Sequence, residues 1–213
     1  MARTERLPRL MLITDRHRTR GRDMVPLLAQ AVVGGVGLVQ VREKDLPEEE
    51  LLELVQRVTA AIGDAARIVV NRSLRVARAC GAGLHLPAAE VDPWPANGRP
   101  ADLLVGRSVH DEREADRALE SQVDYLILGP IYATPSKPGH PGHGLDLVRR
   151  ISEQVRPVPL YAVGGVTVSR VPELIHSGAR GVAVSGELLS AGDPARVAQA
   201  MALGLHVCPP EAG

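Results

Sequence analysis

Residues 40–44 read Gln-Val-Arg-Glu-Lys, and in an extended strand the side-chain period of two puts Gln40, Arg42 and Lys44 on one face. An amide donor, a planar guanidinium fork and an ammonium point charge aimed one way suit a phosphate or diphosphate. Asn71 and Arg72 follow another apolar run, His85 ends the next, and Ser108 and His110 share one side of Gly106–His110 by the same period. The Gly/Pro-rich stretch Gly129–Gly144 adds the anion donors Thr134, Ser136 and Lys137, with Gly139–Gly144 as a lid; its His140 and His143 read as a solvated loop, not a metal pair. Gly164-Gly165 and Ser185-Gly186 follow two late apolar runs, where glycine lets backbone N–H groups approach a phosphate. Each feature also has a structural reading: Lys44 paired with an acid, single histidines satisfied in a core, glycines serving turns.

Eight short apolar runs carry these residues at their carboxyl ends: Leu10–Ile13, Leu38–Arg42, Ile68–Asn71, Gly83–Leu86, Leu103–Gly106, Tyr125–Gly129, Leu160–Val163 and Val182–Ser185. Helical patterns separate them at Met24–Val33, Pro47–Ile62, Leu74–Cys80, Asp111–Leu119, Leu145–Gln154, Thr167–His176 and Pro194–Leu203; after Leu86 only an irregular segment is expected, with Val91–Pro100 a loop. Strands joined through helices pair in parallel, and eight units favour a single-domain α/β (β/α)8 TIM barrel over an open doubly wound sheet. The open form would carry GxGxxG after its first strand, where Thr14-Asp15-Arg16 stands instead. The barrel domain is assigned to 1–207 and a flexible tail to 208–213.

The chain of 213 residues has no Phe, one Trp and three Tyr, so the core is expected to be Val, Leu, Ile and Ala. Twenty-five basic against 25 acidic residues give zero net charge, which argues against nucleic acid, as does the lack of an aromatic stacking surface. No apolar run approaches membrane length, no signal segment is visible, and the chain reads as cytoplasmic. Cys80 and Cys208 imply neither a disulfide nor zinc. The partners expected are small molecules, and a homo-oligomer is left open.

In order along the chain, Leu12-Ile13-Thr14-Asp15, VQVREK (Val39–Lys44), Asn71, GLHLP (Gly83–Pro87), GRSVH (Gly106–His110), GPIYATPSK (Gly129–Lys137), AVGGV (Ala162–Val166) and GVAVSG (Gly181–Gly186) resemble the family of thiamin-phosphate synthase and its TenI-type relatives. The resemblance implies a (β/α)8 barrel, thiamin biosynthesis and a thiazole phosphate ligand. In the synthase that ligand is coupled to an aminopyrimidine diphosphate, with Mg2+ and release of pyrophosphate. Gln40, Arg42, Lys44, Asn71 and Lys137 match its pyrophosphate-binding positions, Ser108, Thr134 and Ser136 positions near the substrate, and Gly165, Ser185 and Gly186 the thiazole-phosphate site.

Three departures steer the subfamily. Arg72 and Glu90 stand where the synthases carry two aspartates resembling Mg2+ ligands, and Pro130 stands where a TenI-type tautomerase carries His. The resulting expectation is a thiazole tautomerase of the TenI branch, an isomerase that aromatises carboxythiazole phosphate by proton transfer. It would need no cofactor, with His110 first and His85 second as acid/base and Glu90 the one candidate metal ligand. The alternatives are a thiamin-phosphate synthase, a transferase using Mg2+, and a non-catalytic regulatory protein that binds thiazole phosphate.

Overall fold

Runs rich in Val, Leu and Ile, buried on both faces, become eight parallel strands: β1 (Leu10–Ile13), β2 (Leu38–Val41), β3 (Arg67–Asn71), β4 (Gly83–Leu86), β5 (Val105–Val109), β6 (Tyr125–Leu128), β7 (Leu160–Val163) and β8 (Gly181–Val184). In this computed structural model, which describes residues 7–94 and 98–206, they pair in chain order and β8 returns to β1, closing the barrel. Cys208 and the expected tail 208–213 lie outside the described residues.

Around the barrel run α1 (Met24–Val33), α2 (Glu48–Ile62), α3 (Leu74–Ala79), α4 (Glu112–Glu120), α5 (Gly144–Gln154), α6 (Val171–His176), α7 (Gly186–Leu189) and α8 (Pro194–His206). Their starts follow local chemistry: Asp23, Ser73 and Asp111 each accept a hydrogen bond from a first-turn amide, and Glu48, Glu49 and Glu50 complement the dipole of α2. No described helix is long and apolar enough to cross a membrane.

Several element ends, among them those of β2, β3, β6, β8, α6 and α8, shift by one to four residues from the expected bounds, and two further differences bear on the site. β5 spans Val105–Val109, not the apolar run Leu103–Gly106, because Arg107 is buried and bonds to the Glu90 carbonyl at 2.6 Å and to Asp92. The barrel interior is also not purely aliphatic. Tyr125 and Tyr161 fill it beside Leu7, Met11, Leu38, Val69, Ile127 and Ala183, while Val, Leu, Ile and Ala build the layer between strands and helices. Both hydroxyls are satisfied, by His85 Nδ1 at 3.2 Å and by the Pro8 carbonyl, as buried phenols require. Gly106 makes the room: a Cβ there would lie 2.0 Å from Tyr125 Cζ.

Candidate functional site

Leu38, Val69 and Ala183 face the barrel axis, so Gln40, Asn71 and Ser185, two residues further on, rise on the same side toward the carboxyl ends. Gln40 is 1% exposed and its Nε2 has no hydrogen-bond partner, as has the buried Ser185 Oγ among the described residues. Buried polar atoms left unpaired cost about 1–3 kcal/mol each, which is why such groups mark places built to meet a ligand.

Above Gln40 the β2 strand climbs out of the barrel through half-buried Arg42 to exposed Lys44. The Arg42 amide donates to Thr14 Oγ1 at 2.8 Å, fixing the strand end. Burial pushes the Arg42 guanidinium down, opposed by Asp15 and Glu43 and reinforced by Arg72. Lys44 is held below the usual ammonium range by Arg42 first, then by burial, Arg72 and Lys137. Thus cations from the end of β2, the end of β3 and the β6 loop lie close enough to repel one another. Among the described residues Arg42, Lys44 and Lys137 make no direct ion pair; Arg72 Nε meets Glu90 Oε2 at 3.3 Å.

Arg72 holds a left-handed backbone, φ 69°, its amide donating to the His85 carbonyl at 2.9 Å. Asn, Asp and Gly favour that conformation and a long side chain does not, so the site carries a small strain to present a guanidinium there. Asn71 is buried beside it.

His85 does not reach the open mouth. It is 1% exposed, with Nδ1 3.2 Å from Tyr125 Oη and Nε2 2.9 Å from Ser108 Oγ. Burial, with Arg42 and Arg107 adding, pushes it down to about 3, so it is a neutral interior group rather than one poised for proton exchange. Below pH 6.5 the unfolded chain takes up a proton that the folded chain refuses until about 3. His85 therefore contributes stability that is complete above pH 6.5 and is lost as pH falls, by about 1.4 kcal/mol per unit. Urea titrations of the wild type and His85→Gln between pH 6 and 4 should show a shallower loss in the variant; equal slopes would contradict a depressed His85.

His110 lies at the rim, its Nδ1 2.8 Å and its amide 2.7 Å from Glu114 Oε2, with no hydrogen bond to Nε2 among the described residues. Thr134 and Lys137 close one turn of the β6 loop, Lys137 N–H donating to the Thr134 carbonyl at 3.0 Å. His140 and His143 stack edge-on at 4.8 Å, and among the described residues no three metal-binding side chains converge.

Two positioning residues were not evident from the sequence. Arg18, anchored to Asp15 Oδ2 at 2.9 Å, donates to Ser136 Oγ at 2.8 Å and lies 3.3 Å from where a Gly186 Cβ would stand, so it ties the β1, β6 and β8 loops together. Arg170 donates to the Gly165 carbonyl at 2.6 Å and sits 4.2 Å over the Tyr132 ring. Gly165 itself, φ 63°, packs so closely that a Cβ would meet the Ala133 carbonyl at 2.7 Å. The Asp15/Arg18 spacing was the one local signal; the contact with Ser136 spans 118 positions.

The residues present do not fit a Mg2+ ion at the corner of β3 and β4. The first family carboxylate is replaced by Arg72, and the second position, Glu90, already faces that guanidinium. A divalent cation needs free oxygen donors, and an arginine cannot deprotonate to supply one.

The family described as thiamine monophosphate synthase matches residues 10–188. A putative thiamine-phosphate synthase of Geobacter sulfurreducens is 38% identical over 212 residues, 94% of each chain. The thiamine-phosphate synthase of Mycolicibacterium gilvum is 37% identical, covering 91% of this chain and 86% of its own. Among solved structures, thiamine phosphate pyrophosphorylase from Pyrococcus furiosus superposes with a TM-score of 0.79 at 27% identity, over 92% of this chain and 95% of that one. These relatives carry the synthase name, which favours the transferase alternative over the tautomerase expected first. The chain belongs to the thiamine monophosphate synthase family.

Proposed function

We propose that this protein is a thiamin-phosphate synthase, a transferase joining an aminopyrimidine diphosphate to a thiazole phosphate with release of pyrophosphate. The observation that carries the reading is the convergence of Arg42, Lys44, Arg72 and Lys137 at one mouth, above the Gln40 Nε2, which has no hydrogen-bond partner among the described residues. A reaction that only moves a proton on a monophosphate has no use for so much positive charge, whereas a departing diphosphate does.

In this reading Gln40, Arg42, Lys44, Asn71, Arg72 and Lys137 hold the diphosphate. Ser108, Thr134 and Ser136 line the space between the two substrates, and Gly165, Ser185 and Gly186 take the thiazole phosphate. As the carbon–oxygen bond to the diphosphate breaks, its electron pair leaves with pyrophosphate, and the preorganised cations stabilise the charge that develops there. Their mutual repulsion, seen at Lys44, is relieved when the polyanion arrives.

The test is incubation of the purified chain with both substrates and chromatographic detection of thiamin phosphate. Product is expected, and its absence with and without Mg2+ would end the synthase reading. One observation keeps a second reading in play: Glu114 fixes His110 Nδ1 and leaves Nε2 free to accept a proton, the arrangement of a general base. Supplying the non-aromatic carboxythiazole phosphate as a further arm separates the two, since faster aromatisation than in buffer would assign a tautomerase.

A further inference from the structure

The Arg72–Glu90 pair sits inside the proposed diphosphate site, which makes it more than a surface salt bridge. Arg72 is near enough to Arg42 and Lys44 to push both of them down, so its charge already belongs to the cation cluster. Its one direct ion-pair partner among the described residues is Glu90, through Nε at 3.3 Å. The backbone of Glu90 is pinned: its carbonyl accepts from Arg107 Nη1 at 2.6 Å, its amide donates to the Pro87 carbonyl at 3.1 Å, and Asp92 is bonded to the same arginine. The Glu90 side chain itself is 40% exposed, as against 57% for Arg72, so it can turn away while its loop stays in place.

We propose that Arg72–Glu90 is an exchangeable ion pair: Glu90 holds the guanidinium in the free protein, and a diphosphate displaces it, so that Arg72 supplies the positive charge that a divalent cation would otherwise bring. This rests on the diphosphate reading of the mouth, but not on turnover. Exposed pairs of this kind are worth about 0.2–1 kcal/mol, so a carboxylate is a weak competitor against a ligand carrying several negative charges. What breaks is one ion pair at 3.3 Å that is not aligned as a hydrogen bond, and what forms are shorter, stronger charge-assisted bonds to phosphoryl oxygens.

Calorimetry with inorganic pyrophosphate in excess EDTA tests it. The wild type is expected to bind without metal. Glu90→Gln removes the competitor and should tighten binding about two- to five-fold, the fold-change equivalent of a lost surface ion pair. Arg72→Gly, which suits the left-handed backbone and so spares the fold, should weaken binding about ten-fold or more. A metal ligand would behave oppositely: if Glu90→Gln weakens binding, or if pyrophosphate binds only with Mg2+, the exchange is overturned. Thiamin phosphate formation, assayed separately, distinguishes the two failures. Metal-free binding with no product would remove the synthase reading alone, and product formed only with Mg2+ on a chain that ignores pyrophosphate in EDTA would remove the exchange alone.

Discussion

Arg42→Ala is expected to lower kcat/KM for thiamin phosphate formation about 100- to 1000-fold, the cost of removing one preorganised donor from a site where charge develops. Arg42 is the half-buried member of the cation cluster, fixed at its backbone by Thr14 Oγ1 and joined by no ion pair among the described residues. Arg42→Lys keeps the charge but loses the fork, so it should recover part of the rate and not all of it. The folded state should scarcely notice. Asp15 and Glu43 lose a favourable neighbour, but Lys44 and Arg72 lose a repulsive one, and Tm should stay within about 3 °C, which corresponds to less than about 1 kcal/mol in a chain of this size. Steady-state kinetics paired with thermal melts check both halves. A loss of rate matched by a loss of Tm would reassign Arg42 to structure, and an unchanged rate would remove it from the site.

The second large effect lies beneath the site. Gly106→Ala is expected to destabilise the barrel by about 3 kcal/mol, the upper range for an overpacked core. A Cβ at 106 would stand 2.0, 2.3 and 2.4 Å from three carbons of the Tyr125 ring, which is fully buried and held by His85 below the mouth and by an edge contact with Tyr161. The ring has no low-cost place to go. In urea denaturation the midpoint should fall with the slope unchanged, and Tyr125→Leu should be markedly less harmful beside Gly106→Ala than on its own, because the two share one volume. A loss under about 1 kcal/mol would mean that the interior relaxes more easily than its packing suggests.

Much of this was legible in the sequence. The elements β1, β4 and β7 and helix α1 have the bounds that their apolar runs predict, since a strand buried on both faces and bracketed by Gly, Pro or capping residues has little freedom to start elsewhere. The period of two also carried Gln40, Asn71, Ser108 and Ser185 to one end of the barrel, because closure leaves each strand only an inside and an outside. For β5 the apolar run Leu103–Gly106 misplaced the bounds, which fall at Val105–Val109 because Arg107, polar in sequence, is buried against the Glu90 carbonyl and Asp92.

What sequence alone determined is therefore the barrel, its direction, and the set of side chains at its carboxyl ends, all of which follow from local periodicity and the geometry of parallel closure. The tertiary structure decided how those side chains are divided. His85 and Ser108 stand on neighbouring strands, yet the imidazole meets Tyr125, 40 positions away, in the interior, where burial, with Arg42 and Arg107 adding, keeps it neutral. Arg72 and Glu90 stand apart in the chain, yet the strap made by Arg107 brings them into contact, and Arg18 reaches Ser136 across 118 positions. Burial, partner and charge state are set by atoms distant in sequence, and at this mouth those three properties separate an anion-binding residue from a structural one.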